Sequence, residues 1–166
     1  MFSGVDDIED LKPLKLTIRS FDSGDLSGVL RIERISFTEP WSPNMFDAFY
    51  QINPKGFYVA AINEDIVGYG IVLMGQNSIR LSKKKGTAHL MNLAVDPRFR
   101  NKGIGGQLVG TIIADIKRAG GDEIYLEVRA SNTNAIAFYL TLGFKKIGNI
   151  KRFYGNEDAV MMAINI

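Results

Sequence analysis

The run Asn101-Lys102-Gly103-Ile104-Gly105-Gly106 stands between an apolar strand ending at Val95 and an amphipathic helix. Helix starts favour a capping Ser, Thr, Asp or Asn side chain, and a glycine inside a helix costs about 1 kcal/mol relative to alanine. Glycines at a helix start expose backbone N–H groups and let a ligand approach the main chain, and the helix dipole adds positive potential there. Arg98, Arg100 and Lys102 bring further positive charge to the same rim. That chemistry suits a phosphate. A Walker A loop is absent. A dinucleotide fingerprint fails as well: Gly103-x-Gly105-x-x reaches Leu108, and Asp96 to Lys102 intervenes after the strand. On the loop alone, a tight helix–sheet contact that tolerates glycine stays open beside the phosphate reading.

Other groups able to do chemistry are few. His89 is the only histidine and sits in the apolar run Ala88-His89-Leu90-Met91. A histidine there is either a hydrogen-bonded core residue or a base, since its ordinary pKa suits proton transfer near neutrality. Glu127 lies between Leu126 and Val128, where an unpaired buried carboxylate is costly. Arg129, two residues on and on the same strand face, is a candidate ion-pair partner for it. A His89–Glu127 metal pair has too few ligands for a strong site, so no metal is expected. The chain has no cysteine, which excludes disulfides, thiolate metal sites and a covalent cysteine intermediate.

Periodicity supplies the elements that hold these groups. Leu16 to Arg19 reads as a short strand and Asp22 to Ser36 as a helix. Thr38-Glu39-Pro40-Trp41-Ser42-Pro43 breaks that helix and opens a second, with proline in its first turn, running to about Gln51. Phe57–Ile62 and Ile66–Met74 are strands joined by a polar turn, and Ser78 to Lys85 is a loop with a basic run, Lys83-Lys84-Lys85. Thr87–Val95 is the next strand. Gly103–Arg118 is a helix with Ile104, Leu108, Val109, Ile112, Ile113 and Ile116 in one stripe. A strand at Glu123–Arg129, a helix at Thr133–Leu142 that Asn132 can cap, and a hairpin of Phe144–Lys151 with Asp158–Ala163 complete the chain. The strand–helix–strand unit over 87–129 implies a parallel pair with a right-handed crossover. Hairpins elsewhere make the sheet mixed, an α/β arrangement with helices flanking it.

At 166 residues the chain suits one domain. Residues 1–14 are acidic and lack periodicity, so they read as a poorly ordered extension to a domain spanning 15–166. A net charge of +2 is too weak to argue for nucleic acid. No apolar run suits a membrane span, and Asp6, Asp7, Glu9 and Asp10 do not suit a signal segment. The expectation is a soluble cytoplasmic protein.

Three segments, taken together, resemble a known family. "NLAVDPRFRNKGIGGQLV" is similar to the acetyl-CoA loop of the GNAT superfamily of N-acetyltransferases, with Arg100-x-x-Gly103-x-Gly105 matching its signature. "YLEVRASNTNAIAFYLTLGF" and "RFYGNEDAVMMA" resemble the closing half and last hairpin of the RimI-like and archaeal protein N-terminal acetyltransferases. The resemblance covers about Leu16 to Ile164. It implies the acyl-CoA N-acyltransferase fold, whose parallel central strands splay to admit the pantetheine arm. By it, Leu93, Ala94 and Val95 pair with pantetheine through their backbones, Asn101 to Gly106 hold the pyrophosphate by main-chain N–H groups with Arg100 as a further cofactor-binding residue, and Asn132 bonds the pantetheine arm.

The same resemblance implies catalytic roles. Tyr139 becomes the general acid toward the CoA sulfur, although Ile136, Phe138 and Leu142 around it also suit a core aromatic. Glu127 matches the base of the RimI-like enzymes, and His89 matches a catalytic histidine of the archaeal and eukaryotic group. Glu39 is similar to a glutamate of that second group, but "FTEPWS" mixes in the bacterial Pro-Trp-Ser, so Glu39 either assists the base or selects substrate. The implied reaction is direct attack on acetyl-CoA by a protein N-terminal α-amine, ribosomal proteins being candidate targets. An α-amine is about 10% neutral at pH 7 and a lysine below about 0.1%, so the α-amine asks less of a modest base. Acetylation of a lysine or a small-molecule amine is the alternative. The expected substrate mouth lies between the "FTEPWS" loop and the last hairpin, with Trp41, Phe153 and Tyr154 as aromatic walls.

Overall fold

Alternating apolar residues and polar turns build seven strands and four α-helices within the residues that the computed structural model describes, 15–74 and 86–166. The extension expected over 1–14 and the Lys83-Lys84-Lys85 loop lie outside them. The strands are β1 (Leu16–Ser20), β2 (Phe57–Ile62), β3 (Asp65–Met74), β4 (Thr87–Val95), β5 (Glu123–Arg129), β6 (Lys145–Tyr154) and β7 (Glu157–Asn165). The helices are α1 (Leu26–Ser36), α2 (Pro43–Ile52), α3 (Ile104–Arg118) and α4 (Thr133–Thr141).

One sheet holds all seven strands in the order β1-β2-β3-β4-β5-β7-β6. Only β4 and β5 run parallel; the other neighbours are antiparallel. The final hairpin is longer than its apolar pattern suggests and docks by its second strand, with β7 along β5 and β6 outermost. The first expected helix also divides. Asp22 and Asp25 cap each other across a 3-10 turn at Ser23–Asp25, and Arg19 grips the Asp25 carboxylate at 2.7 and 2.8 Å, before α1 begins at Leu26.

Side-chain alternation divides the apolar residues between the two faces. Val29 and Ile32 of α1 and Phe46 of α2 pack with Phe57, Val59, Tyr69 and Ile71 on one face. Ile104, Leu108 and Ile112 of α3 and Ile136 and Tyr139 of α4 pack with Leu90, Leu126 and Val128 on the other.

Helix α1 approaches β3 so closely that Gly28 has no room for a side chain: a Cβ there would lie 2.7 Å from Cβ of Ile66. Alanine would gain about 1 kcal/mol in helix propensity but overpack the contact by about 1–3 kcal/mol. Gly28→Ala is therefore expected to lower stability, read as a reduced urea midpoint at unchanged slope.

Candidate active site

Strands β4 and β5 pair only at Thr87↔Glu123, Ala88↔Ile124 and His89↔Tyr125. Beyond that point β4 runs on to Val95 and β5 to Arg129 without pairing. A register shift gives β4 one more residue than β3 between the pairs Val72↔Leu90 and Ile71↔Asn92. Such a bulge bends its strand, here where the parallel pair parts. Two cavities, about 400 and 310 Å³, occupy this region. Phe37, Leu93, Asn132, Ala135 and Tyr139 line both. A molecule filling one therefore meets a molecule filling the other at Leu93 and Tyr139.

The larger cavity runs along Leu93, Ala94 and Val95 to the start of α3, where Arg100, Asn101, Gly103, Ile104, Gly105 and Gly106 line it. Gly103 adopts φ +79°, a left-handed conformation that glycine takes at no steric cost. In the first intrahelical bond of α3 the Gln107 amide donates to the Gly103 carbonyl at 3.0 Å. The amides of Ile104, Gly105 and Gly106 precede it and have no acceptor one turn back. This is the donor set an anion needs, and it fits a diphosphate. Arg100 stays near its own loop, donating from Nε to the Val95 carbonyl at 2.9 Å and from Nη2 to Ser36 Oγ at 3.3 Å. Lys102 does not line the cavity; its ammonium lies over the Phe99 ring, 5.3 Å from the centroid. Asn132 caps α4, its Oδ1 accepting from the Ala135 amide at 3.1 Å, and its side-chain amide N–H groups are left for another acceptor.

Asp96 anchors the loop from beneath. Its side chain is 0% exposed and binds Arg31 at 2.6 Å and Arg98 at 2.7 Å, while its other oxygen accepts from the Arg98 amide at 3.0 Å. The Arg98 and Arg31 guanidiniums outweigh burial and hold the Asp96 carboxyl well below the usual carboxylate range. A group with a depressed folded pKa stabilises the fold above its unfolded pKa, about 4, and loses that contribution as pH falls toward the folded value. Asp96→Asn is thus expected to lower Tm at pH 7, with the gap to the native protein closing below about pH 4.

Glu127 lines the smaller cavity, and His89, outside that lining, contacts its carboxylate. His89 Nε2 is 2.5 Å from Glu127 Oε2, and the His89 ring stacks on Tyr125 at 4.3 Å. His89, 8% exposed, lines neither cavity; it meets the site through Glu127. Arg129 is not the partner of Glu127. It reaches outward to Glu157 at 3.1 Å and Glu39 at 2.9 Å and lies over the Tyr154 ring at 4.4 Å. Same-face neighbours two apart on one strand point in parallel, so a cross-strand partner reached Glu127 first. Among the described residues no group of three His, Cys, Asp or Glu is placed to hold a metal ion.

Tyr154 also lines this cavity and donates to the Glu127 carbonyl at 3.2 Å. Burial, then the Glu127 charge, push its phenol up to about 12. Phe153 stands outside the cavity, 43% exposed, edge-on to Tyr154 at 4.9 Å. Trp41 lines the same cavity and stacks on Phe49 at 4.8 Å. At the junction, Tyr139 is wedged between Phe138 and Phe144, with ring centroids at 5.1 and 5.4 Å. Burial raises its pKa above the ordinary tyrosine value, so it carries its proton at neutral pH.

Some site residues escape the motifs. Glu33 of α1 is 1% exposed and lines the smaller cavity. Its position one turn after Val29 puts a carboxylate on the apolar stripe of α1, and that was the available signal. Phe37 and Asn92, both cavity-lining, carry no sequence mark at all.

Comparison with known proteins agrees with this architecture. The model of the acetyltransferase (GNAT) family matches residues 26–144. The chain is 32% identical to an N-alpha-acetyltransferase of Saccharolobus solfataricus, covering 89% of this chain and 91% of that one. It is 31% identical to the ribosomal protein bS18-alanine N-acetyltransferase of Escherichia coli, covering 90% and 97%. Among solved structures, Ard1 from Thermoplasma volcanium superposes with a TM-score of 0.83 at 26% identity, covering 91% of this chain and 97% of that one. The sheet splayed between β4 and β5, the glycine-opened helix at its edge and these matches lead to one conclusion: the chain belongs to the acetyltransferase (GNAT) family.

Proposed function

We propose that this protein transfers the acetyl group of acetyl-CoA to the N-terminal α-amine of proteins, by direct attack with both substrates bound. The observation that carries the reading is the pair of cavities meeting at Leu93 and Tyr139, one ending on bare helix amides and the other on Glu127. The relatives named for N-alpha and ribosomal protein bS18-alanine acetylation support the same substrate class.

Acetyl-CoA, when bound, supplies an activated thioester. The loop amides and the Asn132 amide are the groups that hold it, and Arg100 and Lys102 add positive charge to the rim. Glu127, held by His89, takes a proton from the incoming ammonium, through a bridging water, and leaves the amine neutral for attack. As the C–N bond forms and the C–S bond breaks, Tyr139 gives its proton to the sulfur. Glu127, having passed the first proton to solvent through that water, takes the second amine proton, and Tyr139 regains its proton from solvent, so that one proton is released per turnover. Glu39, Trp41 and Tyr154 shape the mouth for a peptide end. Ribosomal proteins are the first targets to test. No helix among the described residues is long and apolar enough to cross a membrane, and we place the activity in the cytoplasm.

The test compares free-amine peptides, varied at their first two residues, with N-blocked peptides containing lysine. Acetylation of the free-amine set alone is expected. Reaction of only the blocked set would transfer the activity to lysine.

A further inference from the structure

The carboxylate of Glu33 makes no ion pair among the described residues. Its hydrogen bonds come instead from three parts of the fold. The Trp41 backbone N–H donates to Oε1 at 2.8 Å. The Tyr69 hydroxyl, from β3, donates to Oε2 in a very short bond, and Asn92 Nδ2, just past the β4 bulge, donates to the same oxygen at 3.3 Å. The Tyr69 phenol is held well above its ordinary pKa by burial and then by the Glu33 charge, so it remains a donor.

The segment from Phe37 to Ser42 leaves α1 and turns into α2, carrying Thr38, Glu39 and Trp41 along one wall of the acceptor cavity. It is tied at two points. Its tip is tied by the Glu39–Arg129 pair, with the Glu39 side chain 81% exposed; such exposed pairs hold weakly, about 0–1 kcal/mol. Its base is tied by the part-buried Glu33–Trp41 bond, whose acceptor residue is 1% exposed, so solvent competes less there than at the tip.

We propose that Glu33 is a positioning residue that fixes the Trp41 wall and thereby sets how the acceptor peptide is bound. The proposal rests on the reading of the smaller cavity as the acceptor site. Removing Glu33 frees the wall and leaves the Tyr69 hydroxyl and Asn92 amide without their acceptor. Acceptor KM rises while KM for acetyl-CoA holds, because Glu33 lines only the smaller cavity. A glutamine keeps the Trp41 tie, since its amide oxygen accepts from the Trp41 N–H and its NH2 donates to the Tyr69 oxygen, at the cost only of the long Asn92 bond at 3.3 Å.

Trp41 is the chain's only tryptophan, so its fluorescence reports the wall without any peptide present. In Glu33→Ala we expect its emission to move to longer wavelength and peptide KM to rise about tenfold, the size of the one hydrogen bond that ties the wall. KM for acetyl-CoA should stay within about twofold, and Glu33→Gln should restore both readouts. Should Glu33→Ala fail to fold, Glu33→Asp, too short to reach Trp41 and Tyr69 together, carries the same expectation. Unchanged emission, a peptide KM that does not move, or a glutamine variant as impaired as alanine would each overturn the proposal. A native protein that acetylates no free-amine peptide would sink the N-terminal reading instead, and the emission arm would still decide whether Glu33 holds the wall.

Discussion

Glu127→Gln is expected to lower kcat for peptide acetylation by roughly 100- to 1,000-fold while leaving acetyl-CoA affinity intact, within the range typical of a lost general base. The amide keeps the shape and a hydrogen-bond partner for His89, 2.5 Å away, but cannot take up the proton. Affinity for the cofactor should hold because Glu127 lines only the smaller cavity. His89 sits behind the carboxylate and touches the site only through it. His89→Gln should therefore slow the reaction by less, and the double variant should be no slower than Glu127→Gln alone, since residues acting as one unit are not additive. Multiplying losses would mean that His89 reaches the amine by itself. A Glu127→Gln variant with near-native kcat would remove Glu127 from the mechanism.

Tyr139→Phe is the second large effect, a fall in kcat of about 10- to 100-fold, at or below the low end for general acids because a thiolate is already a fair leaving group. The ring should stay in place, for its contacts are with Phe138 and Phe144, so Tm should change little. The loss should shrink with a thioester of a more acidic thiol, whose departure needs less help. Burial raises the Tyr139 pKa, so loss of the acid form in the native enzyme should begin only above the ordinary tyrosine value of about 10. An equal loss with both thioesters would assign Tyr139 to binding rather than proton transfer.

Local signals carried much of this architecture into view. The apolar stripe of α3 and the glycines before it are sequence-adjacent, so the helix, its bare start and the adjoining cavity follow from one short run. Asn132 and Pro43 marked helix starts because capping and φ restriction act within a turn. Long-range pairing was not legible. Arg129 stood as one candidate partner for Glu127 from two residues away, yet it pairs with Glu39, 90 positions distant, while Glu127 meets His89 across the sheet. The place of β7 between β5 and β6 depends on which edge stays free once β5 is paired, a fact about the assembled sheet. Glu33 hid for a related reason: its donors on β3, on β4 and before α2 converge only when both layers are packed.

The central claim is that the gap between β4 and β5 joins a cofactor cavity to an acceptor cavity. The most direct measurement is a crystal structure with CoA linked through an acetyl bridge to the N-terminus of a short peptide. The diphosphate should rest on the amides of Ile104, Gly105 and Gly106, the bridge should pass Leu93 and Tyr139, and the peptide should emerge between Trp41 and Tyr154. A diphosphate bound away from those amides, or a peptide leaving by any other face, would contradict the account.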